Sequence, residues 1–267
     1  MNKFSVLLSV YFREKPEYLD LALKSIHEQT LKPDEIVLVK DGLLTKELEV
    51  IIQKYVDVRV VTLAQNVGLG KALNEGLKSC SYEIVARMDT DDIAKCDRFE
   101  KQMAIIDNNP DVDVVSAWVN EFEGTIFNVL STRKLPEKHE MIYDFAKSRN
   151  PINHPVVMFK KKAVLAAGGY QHFPLFEDYY LWVRMLMNGA KFYNIQEGLL
   201  FFRFSSDMFK RRGGWKYALD EYRFQNTIRK IGFISFPKFI KNVMFRFGIR
   251  IAPNILRIQI YKLLLRK

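Results

Sequence analysis

The chain has 267 residues, with 41 Lys and Arg against 31 Asp and Glu for a formal net charge of +10. Its 48% hydrophobic content excludes a disordered polymer, and two cysteines, Cys80 and Cys96, are too few for a disulfide framework or zinc cluster and point to a reducing compartment. Residues 230–267 hold nine of the basic residues and no Asp or Glu, leaving 32 basic against 31 acidic elsewhere; this counts against a nucleic-acid binder, which more often spreads a basic face across its fold.

Residues 4–11 form a continuous apolar run, the pattern of a strand buried on both faces, and no secretory leader precedes it. An amphipathic helical pattern runs from Glu17 to Gln29. Pro33 precedes a second apolar strand over 35–40 that ends at Asp41-Gly42. A helix over about 45–55 leads to a strand at 59–63. The loop Asn66-Val67-Gly68-Leu69-Gly70 then opens a helix near 71–79, and the apolar run 82–88 ends on Asp89-Thr90-Asp91-Asp92. Strands alternating with helices imply a mostly parallel sheet with helices on both faces. Ligands bind such sheets at the C-terminal strand ends, where Asp41 and the 89–92 cluster both fall.

The second half is more mixed. A strand-like segment at 112–119 is followed by a helix near 136–147, then by Pro151-Ile152-Asn153-His154-Pro155 and an apolar strand at 156–159. A helix over about 161–167 closes on Gly168-Gly169. Phe176-Glu177-Asp178 opens a strongly apolar helix that runs to Met187 and stops at Asn188-Gly189. No repeat or linker falls before about residue 208. Beyond it, Phe236, Phe239, Ile240, Val243, Met244 and Phe247 recur at helical spacing, with Lys238, Lys241 and Arg246 off the stripe. Pro253 begins a second apolar and basic segment, Ile255 to Lys267. A basic amphipathic helix rich in Phe and Leu suits an anionic membrane interface; packing on the body or on another subunit is the other reading. No run of about 18 apolar residues is present, so a membrane-spanning helix is not expected.

Three carboxylates delivered by a strand to a loop are hard oxygen ligands for Mg²⁺ or Mn²⁺, and the alternative is a solvated acidic turn capping a helix. The loop at 66–70 offers a phosphate the free N–H groups of a helix start. It lacks the Gly-Lys-[Ser/Thr] ending of a Walker loop and the third glycine of a dinucleotide fingerprint. Glu177 and Asp178 read either as a general base or as acids favoured by the helix dipole. His154 is either a ligand contact or a structural residue.

Five motifs in order carry a family resemblance. They are the first strand ending Ser9-Val10-Tyr11, Val39-Lys40-Asp41-Gly42, Asn66-Val67-Gly68-Leu69-Gly70-Lys71-Ala72-Leu73-Asn74, Arg87-Met88-Asp89-Thr90-Asp91-Asp92 and Glu177-Asp178-Tyr179-Tyr180-Leu181-Trp182. Over residues 4–205 the chain resembles a family-2 glycosyltransferase with the GT-A fold, and most of all the bacterial amylovoran, capsule and O-antigen branch. The resemblance implies an α/β GT-A (Rossmann-like) domain over 1–207. Its nucleotide-sugar half covers about 1–110 and its acceptor half about 111–207, followed by a helical, basic, membrane-associating region over 208–267.

The resemblance also implies the chemistry. A hexose (galactose, glucose or an N-acetylhexosamine) would pass with inversion from a UDP-sugar to a lipid-linked oligosaccharide, with Mn²⁺ or Mg²⁺, at the cytoplasmic face of the bacterial inner membrane. Asp178 matches the catalytic base, with Glu177 beside it. Asp91 and Asp92 match metal ligands, Asp91 leading. Ser9, Tyr11, Asp41, Gly68, Gly70, Lys71, Arg87 and Asp89 match the nucleotide-sugar site, and His154 and Trp182 are acceptor or auxiliary residues. The anionic membrane surface is expected to be met through residues 235–267. Many relatives carry Asn after the first-strand Tyr, where this chain has Phe12. The competing readings are a nucleotidyltransferase on a similar α/β scaffold, whose Gly-rich basic loop after strand one is missing here, and a non-catalytic membrane-bound scaffold.

Overall fold

The computed structural model describes residues 2–204 and 214–251. The first apolar run is strand β1 (Phe4–Val10), followed by α1 (Pro16–His27), β2 (Glu35–Lys40), α2 (Lys46–Lys54), β3 (Val58–Thr62), α3 (Leu69–Ser79) and β4 (Ile84–Arg87). The four strands pair in parallel in the order β3-β2-β1-β4. Side chains alternate across a strand, so the continuous apolar runs serve two cores. Val6, Leu8, Ile36 and Leu38 pack on one face, while Leu7, Val37 and Val39 pack on the other with α3. Pro16 stands in the first turn of α1, where its missing N–H and fixed φ cost nothing.

The remaining elements are β5 (Ile93–Ala94), α4 (Arg98–Asn108), β6 (Val112–Phe122), β7 (Val129–Arg133), α5 (His139–Ala146), a 3₁₀ turn (His154–Val156), β8 (Met158–Lys160), α6 (Lys161–Ala166), α7 (Glu177–Met187), β9 (Lys191–Arg203), α8 (Gly214–Lys230) and α9 (Phe236–Ile251). They extend the sheet as β4-β8-β6-β9-β5, with β7 pairing to Val119–Phe122 of β6 beyond the short stretch that β8 occupies. β8 lies antiparallel to both β4 and β6, whereas β6 and β9 are parallel, so the sheet is mixed in this half. The strand expected at 156–159 starts two residues later, because His154-Pro155-Val156 forms the 3₁₀ turn.

The core beneath α7 continues without a break into α8 and α9 through Tyr217, Phe224, Ile228, Phe233, Ile234 and Phe239. This divides the apolar stripe expected to meet a membrane. Phe239 is buried and Val243 packs against the core, while Phe236, Ile240 and Met244 face solvent. Arg246, expected off the stripe, turns inward to pair with buried Glu221, which needs a counter-charge once removed from water. The expected basic segment over 252–267, with the side chain of Phe247, lies outside the described residues.

Candidate active site

Asp41 follows β2 and is almost fully buried. Its Oδ1 accepts from the Val67 backbone N–H at 2.7 Å, and its Oδ2 accepts from the Gly68 N–H at 3.1 Å and from Asn66 Nδ2 at 3.0 Å. The carboxylate therefore shapes the loop that opens α3. Gly42 is the turn that makes this possible: its φ is +88°, and a Cβ there would stand 2.7 Å from the Asn66 nitrogen. Gly68 is the N-cap of α3, so the free N–H groups of the first turn lie at the C-terminal edge of the sheet. Tyr11 and Phe12 are exposed beside β1, their rings 5.8 Å apart edge to face, and Ser9 is half-buried.

The acidic loop joins β4 to β5. Fully buried Arg87 grips the Asp89 carboxylate with both terminal nitrogens, Nη1 to Oδ2 at 2.8 Å. Thr90 Oγ1 donates to Glu14 Oε2 at 2.7 Å, which ties this loop to the one after β1. Asp92 is buried, and its Oδ1 accepts from the backbone N–H of Arg203 at 2.9 Å. The Arg203 side chain completes a clamp: Nε donates to the Asp91 carbonyl at 2.9 Å, while the guanidinium stacks 3.8 Å from the Tyr18 ring centroid and 4.6 Å from that of Phe122.

Each of Asp89, Asp91 and Asp92 offers one oxygen, and these three lie within 4.8 Å of one another. Burial, then the neighbouring Asp89 and Glu14, pushes the Asp91 carboxyl up to about 7. Burial, then Asp91 and Asp89, holds Asp92 well above the usual carboxylate range. Asp92 Oδ2 is buried with no hydrogen-bond partner among the described residues. Crowded acids with an unused buried oxygen fit a hard divalent cation, which relieves the repulsion that burial amplifies. Of the three, Asp89 is already paired with Arg87.

The second acid pair opens α7. Asp178 accepts from Asn150 Nδ2 at 2.6 Å. Burial raises the Glu177 carboxyl above its ordinary range, and neighbouring Asp178 adds to the effect. The start of α3 lies close to the start of α7: a Cβ added at Gly70 would stand 3.4 Å from both Glu177 Cγ and Tyr170 Cβ. One turn along α3, Asn74 clasps the Tyr170 backbone in both directions. Its Nδ2 donates to the Tyr170 carbonyl at 2.7 Å and its Oδ1 accepts the Tyr170 N–H at 2.8 Å. The Tyr170 hydroxyl and His154 Nε2 are hydrogen-bonded at 2.8 Å. Burial, then Arg87, holds His154 well below its usual pKa, so its imidazole is neutral.

Asp41 and Gly68 meet at the start of α3, Arg87, Asp89, Asp91 and Asp92 at the loop after β4, and Glu177 and Asp178 at the start of α7. Trp182 is fully buried, its ring 5.9 Å from His154 and edge-on to it, so it supports that imidazole and touches no acceptor itself. Lys71 lies at the exposed start of α3. Residues that the sequence reading passed over are Glu14, Asn74, Asn150, Tyr170 and Arg203. Only Asn74 sat inside a quoted motif, and the others act through partners distant in sequence.

Residues 5–166 match the family described as glycosyl transferase family 2. The chain belongs to that family. It is 40% identical to the UDP-Gal:alpha-D-GlcNAc-diphosphoundecaprenol beta-1,3-galactosyltransferase of Escherichia coli, over 99% of this chain and 97% of that protein. It is 43% identical to the amylovoran biosynthesis glycosyltransferase AmsE of Erwinia amylovora, over 86% of this chain and 88% of that one. Among solved structures it shares its fold with TarS 1–349 of S. aureus in complex with UDP-GlcNAc. That match has a TM-score of 0.64 at 19% identity and covers 85% of this chain and 66% of that one. The mannosyltransferase PcManGT of Pyrobaculum calidifontis, in complex with GDP-Man and Mn²⁺, also has a TM-score of 0.64, at 15% identity, covering 91% of this chain and 68% of that one. This family-2 glycosyltransferase is thus a hexosyl-transferring enzyme on a GT-A scaffold, and inversion is the outcome of its family. No helix among the described residues is long and apolar enough to cross a membrane.

Proposed function

We propose that this enzyme moves a hexose from a UDP-sugar to a lipid-linked glycan diphosphate, working peripherally at the cytoplasmic face of the bacterial inner membrane. Ser9, Tyr11, Asp41, Gly68, Gly70 and Lys71 hold the nucleotide, with Asp41 acting through the loop it shapes. Arg87 and Asp89 form the floor beneath the sugar and ribose. Asp91 and Asp92 would hold Mn²⁺ or Mg²⁺, which when bound neutralises diphosphate charge and improves the leaving group. Asp178 accepts the proton of the acceptor hydroxyl as its oxygen attacks the anomeric carbon from the face opposite the departing diphosphate. Asn150 keeps one carboxylate oxygen of Asp178 engaged so that the other is free for that proton, and Glu177 borders the acceptor. His154, neutral and fixed by Tyr170 over Trp182, offers the bound sugar a hydrogen-bonding ring.

The observation that carries this reading is the closeness of the α3 start to Glu177, which brings a phosphate-type helix terminus near a base-type acid pair. Because the E. coli relative is named for UDP-Gal, galactose is the first donor to test. The experiment is release of label from a radiolabelled UDP-sugar panel with a lipid-linked acceptor, in EDTA and after restoring Mn²⁺. Asp91→Ala should abolish transfer, and Asp178→Asn should abolish transfer while retaining UDP-sugar binding. Turnover in EDTA would remove the metal from the scheme, and turnover by Asp178→Asn would move the base elsewhere.

A further inference from the structure

α9 has two sides with different partners. Its outward side carries Phe236, Ile240, Met244 and Phe245, exposed by 61%, 40%, 72% and 56%. Lys241 stands exposed among them and Lys238 is half-buried at their edge. From α8, Leu219 and Tyr222 are also exposed. The Tyr222 ring lies 5.8 Å from that of Phe239, itself 6.2 Å from Phe236, so the apolar surface runs across both helices. α9 contains no Asp or Glu, and the two acids of α8 are engaged, Asp220 by Arg223 at 3.0 Å and Glu221 by Arg246. Lys230, Lys238 and Lys241 make no ion pair among the described residues. Lys238 lies near Asp144, which is itself paired with Lys147 at 2.7 Å, so the balance of this face stays positive. Apolar side chains interleaved with lysines in excess of acids complement an anionic lipid surface, where a water-facing protein surface would carry both signs in balance.

The inward side of the same helix reaches the catalytic acids. Asn242 Nδ2 donates to the Lys147 carbonyl at 2.8 Å, and Arg246 Nη2 donates to the Ser148 carbonyl. Two residues further on, Asn150 holds Asp178. In parallel, Phe224 of α8 stacks on Phe176 at 4.9 Å with planes 12° apart, immediately before Glu177. A continuous set of packed groups therefore links the exposed face of α9 to the acid pair at the start of α7.

We propose that the α8–α9 pair is the surface that docks this enzyme on an anionic bilayer, and that it thereby holds the Asp178 side of the site toward the membrane, where a lipid-linked acceptor arrives. This rests on the lipid-linked acceptor proposed above. The apolar stripe enters the interface and the lysines meet the head groups. Membrane binding and acceptor delivery then depend on one surface, while donor binding does not.

The test uses the full chain in flotation with phosphatidylcholine vesicles, with and without phosphatidylglycerol. Wild type should bind the phosphatidylglycerol vesicles and release at high salt. Lys238→Gln/Lys241→Gln should weaken partitioning by about fivefold per lysine, and Ile240→Ser/Met244→Ser/Phe245→Ser should lower it further. Both variants should lose transfer to acceptor embedded in vesicles, yet keep wild-type transfer to a short-chain, water-soluble acceptor analogue. That second readout also reports folding and separates the two proposals: an inert wild type with the soluble analogue counts against the reaction, whereas vesicle binding needs no turnover. Wild type that ignores phosphatidylglycerol vesicles, or variants that bind them like wild type, would overturn the docking surface. A dimer that dissociates in the triple variant, without vesicle binding, would assign the face to a second copy instead.

Discussion

Replacing Arg203 with methionine keeps an apolar stem but removes the guanidinium that braces the acidic loop. Two interactions are lost: the Nε donation to the Asp91 carbonyl at 2.9 Å, and stacking on Tyr18 and Phe122 at 3.8 and 4.6 Å. A hydrogen bond from a charged donor contributes about 1.5–3 kcal/mol, and a partly desolvated cation–π contact about 0.5–2 kcal/mol. The backbone donation from residue 203 to Asp92 survives, because it does not depend on the side chain. A loop loosened by about 3 kcal/mol, with about half of that recovered as relaxation elsewhere, should weaken Mn²⁺ binding roughly tenfold. The assay is free Mn²⁺ measured by electron paramagnetic resonance during titration with UDP present, beside thermal unfolding in EDTA. Arg203→Lys keeps the charge without the planar fork and should fall between wild type and Arg203→Met. Mn²⁺ affinity in Arg203→Met within about twofold of wild type would refute the reasoning, and a lower Tm with unchanged Mn²⁺ affinity would reduce Arg203 to a buttress.

Two further outcomes follow from the base half and its neighbour. Asn150→Ala leaves α7 intact but frees Asp178 to rotate. Transfer should fall by about 10- to 100-fold in kcat with UDP-sugar affinity unchanged, and lost donor affinity would contradict the assignment. His154 has a folded pKa below its unfolded value, so below about pH 6.5 the unfolded chain binds a proton that the folded chain refuses. Between pH 6.5 and 5.5 His154 therefore subtracts from stability, whereas Asp91, pushed up to about 7, adds to it by taking up a proton in the folded state, so the His154 contribution is read as the difference in pH slope between wild type and His154→Gln in urea melts. An equal slope in the variant would place the titration elsewhere.

Much of the first half was legible because its signals are local. β2 and β4 are each a short apolar run followed within a few residues by a functional acid, Asp41 and the 89–92 cluster, so strand, strand end and chemistry are read together. Partners contributed from afar left no local trace. β5 has two residues and exists because β9 pairs with it, through Ile93 with Phe201 and Ala94 with Leu200. Tyr170 is oriented by Asn74, 96 positions away. Arg246 reads as a solvent-facing cation until Glu221 is found beneath it. Of the two readings open for Trp182, acceptor or auxiliary, its periodicity favours the second. Leu181, Trp182, Met185 and Leu186 recur at the spacing of one helix face, and that face is buried.

The closeness of α3 to α7 allows stability and function to be separated at one atom. Gly70 lies in the first turn of α3 with an ordinary helical φ, so alanine is conformationally compatible there and should stabilise by about 0.5–1 kcal/mol. Its Cβ would meet Glu177 Cγ and Tyr170 Cβ at 3.4 Å, which is van der Waals contact and not a clash. On folding grounds alone, Gly70→Ala should raise the Tm or leave it unchanged. The N–H of residue 70 is also one of the free donors at the helix start, where a diphosphate needs close approach to bare backbone. A methyl group at that approach should therefore raise the KM for the UDP-sugar several-fold while the protein becomes no less stable. A larger side chain, as in Gly70→Leu, must also displace Glu177 or Tyr170 and should lower kcat in addition. If Gly70→Ala binds the donor like wild type, the phosphates do not lie at the start of α3, and its closeness to Glu177 serves packing alone.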